Sequence, residues 1–168
     1  PSSSSAASDV YKRQEYYHCC IAKDKKTTGL MVAVDATCSG LQILAGLARD
    51  KSTAELVNVV PSSKPSDAYK AVAEKAKEFL PTYMHRWMNR SVCKRTVMTI
   101  PYNATKDSSR KYIREALLEN NIDPTKDELT QVVNAVYNSM DSIVPGPMRV
   151  MRWIKKHVGL YIRNGAKE

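Results

Sequence analysis

Apolar residues recur along the chain in blocks of helical spacing, separated by Pro-, Ser- and charge-rich connections. Residues three and four apart stack on one helical face, so Leu41, Leu44, Ala45 and Ala48 predict a first helix. After the linker PSSKP at 61–65, the row Ala68, Val72, Ala76, Phe79 and Leu80 predicts a second, with Ser66 as its cap and Pro81 as its end. A third runs over 106–119, with Tyr112, Ile113, Ala116 and Leu117 inward and Arg110, Lys111 and Arg114 outward. Thr125 and Glu128 make a capping-box pattern before Leu129, Val132, Val133, Val136 and Met140. Pro145-Gly146-Pro147 breaks the chain there. A last helix is predicted to bury Val150, Ile154, Val158, Tyr161 and Ile162, carrying Arg149, Arg152, Lys155, Lys156 and Arg163 outside.

One block does not fit this spacing. Leu30-Met31-Val32-Ala33-Val34 is a short continuous apolar run, which reads as a buried strand. Asp35 follows at its tip, and Ser39 is the expected N-cap of the helix beyond. Strand tips before helices are where α/β scaffolds display chemistry, because free N–H groups there suit phosphates. Asp35 as a plain turn cap is an equal reading at this point. The fold class expected is α+β, predominantly helical, with one short strand.

Composition sharpens this picture in two ways. The 168 residues suffice for about one domain with a core, and 43% hydrophobic content argues against general disorder. Lys and Arg number 26 against 17 Asp and Glu, a net charge of +9, which points to an anionic partner (nucleic acid, nucleotides or an acidic membrane surface), although charge alone also fits a basic protein with no such partner. No apolar run approaches the ~20 residues of a membrane span. Cys19, Cys20, Cys38 and Cys93 show no CxxC spacing and no His at ligand distance, so they read as reduced thiols in a cytosolic setting rather than a zinc site. The Ser/Ala-rich stretch at 1–14 reads as a flexible or non-native tail, and both ends read as cut.

The candidate chemistry lies in the stretch Arg90-Ser91-Val92-Cys93-Lys94-Arg95-Thr96-Val97-Met98-Thr99-Ile100-Pro101-Tyr102-Asn103. At about 100° per residue, Arg90, Lys94 and Met98 share a helical face with Tyr102 at its edge. A guanidinium fork and an ammonium point charge one turn apart suit a polyphosphate, and the apolar and aromatic groups beyond suit a base and a sugar. A basic helix alone is more often a solvated face. Pro101 lacks an N–H and clashes with the preceding turn, so a kink or stop is expected near Ile100, setting where Tyr102 goes.

Taken together, Asp35-Ala36-Thr37-Cys38-Ser39-Gly40-Leu41-Gln42 and Arg90-x-x-x-Lys94-Arg95-x-Val97-Met98-Thr99-x-x-Tyr102 resemble motifs A and B of the bacteriophage-type single-subunit DNA-dependent RNA polymerases, the family of the mitochondrial RNA polymerases. The resemblance extends through Leu47-Ala48-Arg49-Asp50, Val57-Asn58-Val59-Val60-Pro61-Ser62 and Asp67-Ala68-Tyr69. It implies a palm–fingers fragment of a right-hand polymerase, with residues 15–89 as a palm portion carrying the motif A strand and 90–168 as a fingers portion. The function implied is template-directed transcription by two-metal nucleotidyl transfer. The resemblance makes Asp35 a catalytic metal ligand, with the carbonyl of Ala36 beside it, for two Mg²⁺ ions. Arg90, Lys94 and Arg95 become phosphate ligands, Lys94 also a proton donor to pyrophosphate, and Met98 and Tyr102 flank the nucleotide, with Tyr102 sensing the 2′-hydroxyl.

Its implied partners are a DNA template, the RNA product, ribonucleoside triphosphates and the remainder of a polymerase chain, with no membrane. Its implied location is a host cytoplasm, for a viral protein, or a mitochondrion. Three departures stand out: Ala36 where the family commonly has Gly, Ile43 where it has His, and Pro101-Tyr102-Asn103 where it has Ala-Tyr-Gly. The His-Asp motif that supplies the family's second catalytic carboxylate does not occur, since His18, His85 and His157 all lack a following Asp. The chain is therefore expected to bind nucleic acid or nucleotide weakly and not to polymerise alone. The competing readings are a family A DNA polymerase fragment, a non-catalytic basic nucleic-acid-binding module, and a structural helical domain with a basic surface.

Overall fold

The computed structural model describes residues 11–24, 27 and 36–165. Asp35 and the expected strand at 30–34 lie outside the described residues, as do residues 1–10 of the expected tail. Among the described residues every regular element is helical, in keeping with the predominantly helical class.

Two compact units divide the chain, Pro1–Ala36 and Thr37–Glu168. In the first, a helix, α1, runs over residues 11–16 into a π-helical turn at Tyr17–Ile21, so positions 11–14 are helical. His18 pairs with Asp24 at 2.8 Å on its exposed side.

The second unit holds α2 (Ser39–Ala48), α3 (Lys51–Leu56), α4 (Ala68–Lys77), α5 (Arg90–Thr99), α6 (Lys106–Glu119), α7 (Lys126–Ile143) and α8 (Pro145–Arg163). Side-chain caps define most of their starts. Asn89 accepts from the N–H of Val92, Thr105 from Ser108, and Thr125 and Glu128 close the expected capping box. Two caps fall elsewhere than expected. Asp67, not Ser66, caps α4, because Ser66 is engaged through its main chain by Asn58, which accepts at 2.7 Å and donates at 2.8 Å. Cys38 holds the N-cap position of α2 without a side-chain bond, and Ser39 is already helical.

Helix α5 packs on α4 and α6, α4 on α7, and α6 on α7, while α2 lies against α3 and α8. Leu41, Val72, Val92, Val97, Ile113, Leu117, Val132 and Met140 sit fully buried in the resulting core. Cys93 belongs to it too, and burial pushes its thiol up to about 12, the behaviour of a packed small hydrophobe. Helix α4 stops at Lys77, before Pro81, and Phe79 is 45% exposed rather than inward. The chain turns there into a 3₁₀ segment, Thr82–Trp87, that buries Met84 and Trp87 instead.

Helix α8 departs most from its pattern. Pro145 opens it at a position where the missing N–H costs nothing, and the break falls one residue earlier, at Val144. It buries Gly146, Pro147 and Met148 in its first turn. Ile154, Val158, Tyr161 and Ile162, expected inside, are 42 to 69% exposed, and Ile154, Val158 and Ile162 line an open cleft with Leu44, Pro101 and Asn103 rather than a packed core.

Candidate active site

The N-terminal end of α2 and the C-terminal end of α5 meet within the second unit. Helix α5 ends at Thr99, and a 3₁₀ turn over Ile100–Tyr102 carries Pro101 where an α-helix cannot, as the sequence led one to expect. That turn closes on Asn103, which takes the left-handed conformation (φ 64, ψ 31). The position favours Gly first and Asn next, so Asn103 suits the backbone required here.

Pro101 then rests on Gly40. A Cβ added at Gly40 would come within 2.6 Å of Pro101 Cβ and 3.3 Å of the Tyr102 ring, so this approach needs a residue without a side chain. Beside it, Ser39 Oγ and Tyr102 Oη share a hydrogen bond of 3.0 Å. Ser39, read from sequence as a helix cap, is thus Tyr102's partner. No local signal foretells a bond between residues 63 positions apart. Tyr102 remains 68% exposed.

Along α5, burial of Val92, Cys93, Thr96 and Val97 turns the opposite face outward. Arg90, Lys94, Arg95 and Met98 are all exposed on it. The three cations differ in what they touch. Arg90 donates from Nε to Asp67 Oδ2 at 2.6 Å and lies over the Tyr69 ring, 5.2 Å from its centroid. Arg95 donates from Nη1 to Glu115 Oε2 at 2.9 Å and stacks on Tyr112 at 4.1 Å, which commits it to α6. Lys94 has no ion pair or hydrogen bond among the described residues, which leaves its ammonium open for an incoming anion.

Asp67 itself is drawn below the ordinary carboxylate range: burial opposes its charge, but bonds from Arg90 and from the N–H groups of Lys70 and Tyr69 outweigh it. Tyr69 is buried and donates its hydroxyl to the carbonyl of Thr37 at 2.7 Å. Burial first, then the neighbouring Cys38 thiol, hold that phenol protonated, well above its usual range. Gln42 fixes the other side of this segment by donating to the carbonyl of Val57 at 2.8 Å. Of the predicted site residues, the structure therefore gathers Arg90, Lys94, Arg95, Met98 and Tyr102 on α5 and its terminal turn. Ala36 is exposed and belongs to the first unit, while Asp35 lies outside the described residues.

Sequence comparison places most of the chain among known proteins. A mitochondrial DNA-directed RNA polymerase of Schizosaccharomyces pombe is 32% identical over 157 residues, covering 80% of this chain and 13% of the relative. The mitochondrial enzyme of Mus musculus is 29% identical over 149 residues, 81% of this chain and 12% of the relative. A shorter match, 37% over 101 residues, covers 51% of the chain and 10% of mitochondrial RNA polymerase 1 of Arabidopsis thaliana. The chain thus spans about an eighth of the length of the first two relatives. The sequence model of the DNA-dependent RNA polymerases matches residues 12–167, from the turns of α1 to the end of α8. With a match over nearly its full length, the chain belongs to the DNA-dependent RNA polymerase family.

Proposed function

We propose that this chain forms the nucleotide-binding part of a DNA-directed RNA polymerase, a nucleotidyltransferase that transfers nucleoside monophosphate units from ribonucleoside triphosphates to an RNA 3′-hydroxyl on a DNA template, releasing pyrophosphate. The observation that carries the reading is the join of Ser39-Gly40 to Pro101-Tyr102. It links the end of the cationic helix to the segment that follows Asp35 in the sequence.

In this reading Lys94 takes the triphosphate as a compact point charge and passes a proton to the departing pyrophosphate. Among the described residues it has no ion-pair or hydrogen-bond partner, which supports that role. Arg90 offers its outer Nη edge to the same phosphates, and Arg95, held on Glu115, adds positive potential behind them. Met98 and Tyr102 flank the base and sugar. The Tyr102 hydroxyl, already bonded to Ser39, sits in a pair that a ribose 2′-hydroxyl can join and a deoxyribose cannot satisfy.

Asp35 and the carbonyl of Ala36 are the oxygen donors that would hold Mg²⁺, and oxygen is the donor type this ion prefers. Among the described residues no group of three His, Cys, Asp or Glu is placed to hold a metal ion. The bound ion supplies charge neutralisation at the phosphates and activation of the attacking hydroxyl. The DNA template, the RNA product and the rest of a polymerase chain are the macromolecular partners of this reading, and among the described residues no helix is long and apolar enough to cross a membrane.

Ribonucleotide incorporation by a polymerase that contains this chain tests the proposal. Lys94→Ala should lower turnover by about 100-fold or more, the usual cost of removing a charge that stabilises a transition state. Asp35→Asn should abolish turnover while leaving template binding intact, and Tyr102→Phe should relax discrimination against deoxynucleotides. Wild-type incorporation by Asp35→Asn would instead assign the chain to non-catalytic nucleic-acid binding.

A further inference from the structure

We propose that Asp67 and Tyr69 are positioning residues for Arg90, and that Tyr69 couples the plane of that guanidinium to the main chain at Thr37. The inference rests on the reading of Arg90 as a triphosphate ligand and deepens it, giving a task to the Asp67-Ala68-Tyr69 stretch.

The first turn of α4 explains why these residue types occur at this spacing. Asp67 Oδ1 accepts from the N–H groups of Tyr69 at 3.0 Å and Lys70 at 3.1 Å, which locks the carboxylate as a helix cap. Its second oxygen is then fixed in space and receives Arg90 Nε at 2.6 Å. A guanidinium has five N–H groups in a rigid fork, so a bond at Nε leaves the four on Nη1 and Nη2 for a phosphate. Two residues on, the Tyr69 ring supplies a flat floor 5.2 Å beneath the guanidinium carbon. Ala68 between them is buried and anchors the turn.

The floor is itself fixed. Tyr69 is 6% exposed, and its hydroxyl bonds the Thr37 carbonyl two residues after Asp35 in the sequence. One face and one edge of Arg90 are therefore set before any ligand arrives, although its side chain stays 50% exposed. Prior ordering of a long side chain lowers the entropy that a bound phosphate would otherwise have to overcome. Asp67 also offsets part of the arginine charge, so its net effect on binding distinguishes orientation from competition.

The 168-residue chain, ¹⁵N-labelled and titrated with inorganic tripolyphosphate, provides the test. Without ligand, the Arg90 Nε–H should give a protected resonance that Asp67→Asn removes. The Asn oxygen still caps α4, so the variant should melt within a few degrees of the parent. Asp67→Asn should weaken tripolyphosphate binding by about 3- to 10-fold, and should have no effect in an Arg90→Ala background, since a positioning residue acts only through its partner. Tyr69→Phe should keep the Arg90 resonance and shift the amides of Thr37 and Cys38.

An unprotected Arg90 Nε–H in the parent, unchanged or tighter binding by Asp67→Asn, equal losses in both backgrounds, or unmoved Thr37 and Cys38 amides would each overturn the proposal. Tripolyphosphate binding that ignores Lys94→Ala and Arg90→Ala sinks the nucleotide-site reading itself. Binding that needs both cations but ignores Asp67→Asn sinks this inference alone.

Discussion

Helices α5 and α8 both carry cations on one side and apolar residues on the other, yet α5 is packed along its length and α8 chiefly at its start. Val92, Cys93, Thr96 and Val97 seat α5 against α4 and α6, and the backbone so fixed gives each outward cation an address. Arg90 meets Asp67, Arg95 meets Glu115, and Lys94 is left open between them. On α8, Arg149, Lys155, Lys156 and Arg163 are as exposed as Lys94. Beside them Trp153, Ile154, Val158 and Tyr161 also stand exposed, with no packed layer beneath the outer turns among the described residues. An amphipathic pattern reports which face can be buried. Whether charges on the other face become a site depends on what holds the backbone beneath them.

That contrast can be broken by mutation, and the largest effect is expected where α5 ends. Ile100 is 1% exposed at the turn that delivers Tyr102, so Ile100→Ala should cost about 2 to 5 kcal/mol in urea unfolding, transfer and cavity contributions together. Gly40→Ala comes next. Its Cβ would press into Pro101, an overpacking that should cost about 1 to 3 kcal/mol and displace Tyr102 from Ser39. A stability loss below about 0.5 kcal/mol with the Ser39–Tyr102 bond intact would mean that the two stretches do not need this close approach.

The packed start of α8 gives a third, smaller effect. Asp50 caps α3 and also accepts from the N–H of Gly146 at 2.9 Å, bridging 96 positions of sequence. Burial opposes its charge, but the hydroxyls of Thr53 and Ser52 and the N–H groups of Thr53 and Gly146 outweigh it and draw the carboxyl down to about 2. A depressed folded value stabilises above the ordinary carboxylate range and loses that contribution as pH falls through it. Asp50→Ala should thus cost about 0.5 to 2 kcal/mol near neutral pH, the worth of a lost cap. The gap to the parent should narrow as pH is lowered from about 5 to 2, by thermal or urea melts at each pH. Ile154→Ala, on the outer turns of α8, should change stability by less than about 0.5 kcal/mol, since that side chain is 42% exposed and leaves little cavity.

Much of this fold was legible in the sequence because caps and periodicity are local. The limits of α6, the capping box of α7 and the stop of α5 before Pro101 all follow from residues within one or two turns. What was not legible depended on residues far apart. The bond between Ser39 and Tyr102, the pairing of Arg90 with Asp67, and the engagement of Ser66 by Asn58 each require the fold before they can be seen. The exposure of the outer α8 failed for the complementary reason: its spacing is correct for burial, but Leu44, Pro101 and Asn103 border Ile154, Val158 and Ile162 across an open cleft without covering them. The candidate site residues rest on the resemblance of two short stretches to a family's motifs, and the structure adds the left-handed turn that suits Asn103 and the close approach that Gly40 allows.

The central claim is that α5 holds a triphosphate site and α8 only a cationic surface. Binding of a Mg²⁺-complexed ribonucleoside triphosphate to the 168-residue chain, compared between Lys94→Ala and Lys155→Ala, tests it most directly, because both variants remove one exposed lysine from a basic helix. The account predicts a loss of about 10-fold or more for Lys94→Ala and a change within about 2-fold for Lys155→Ala. Equal losses from the two helices would mean that general positive charge, not the geometry of α5, attracts the nucleotide, and would contradict it.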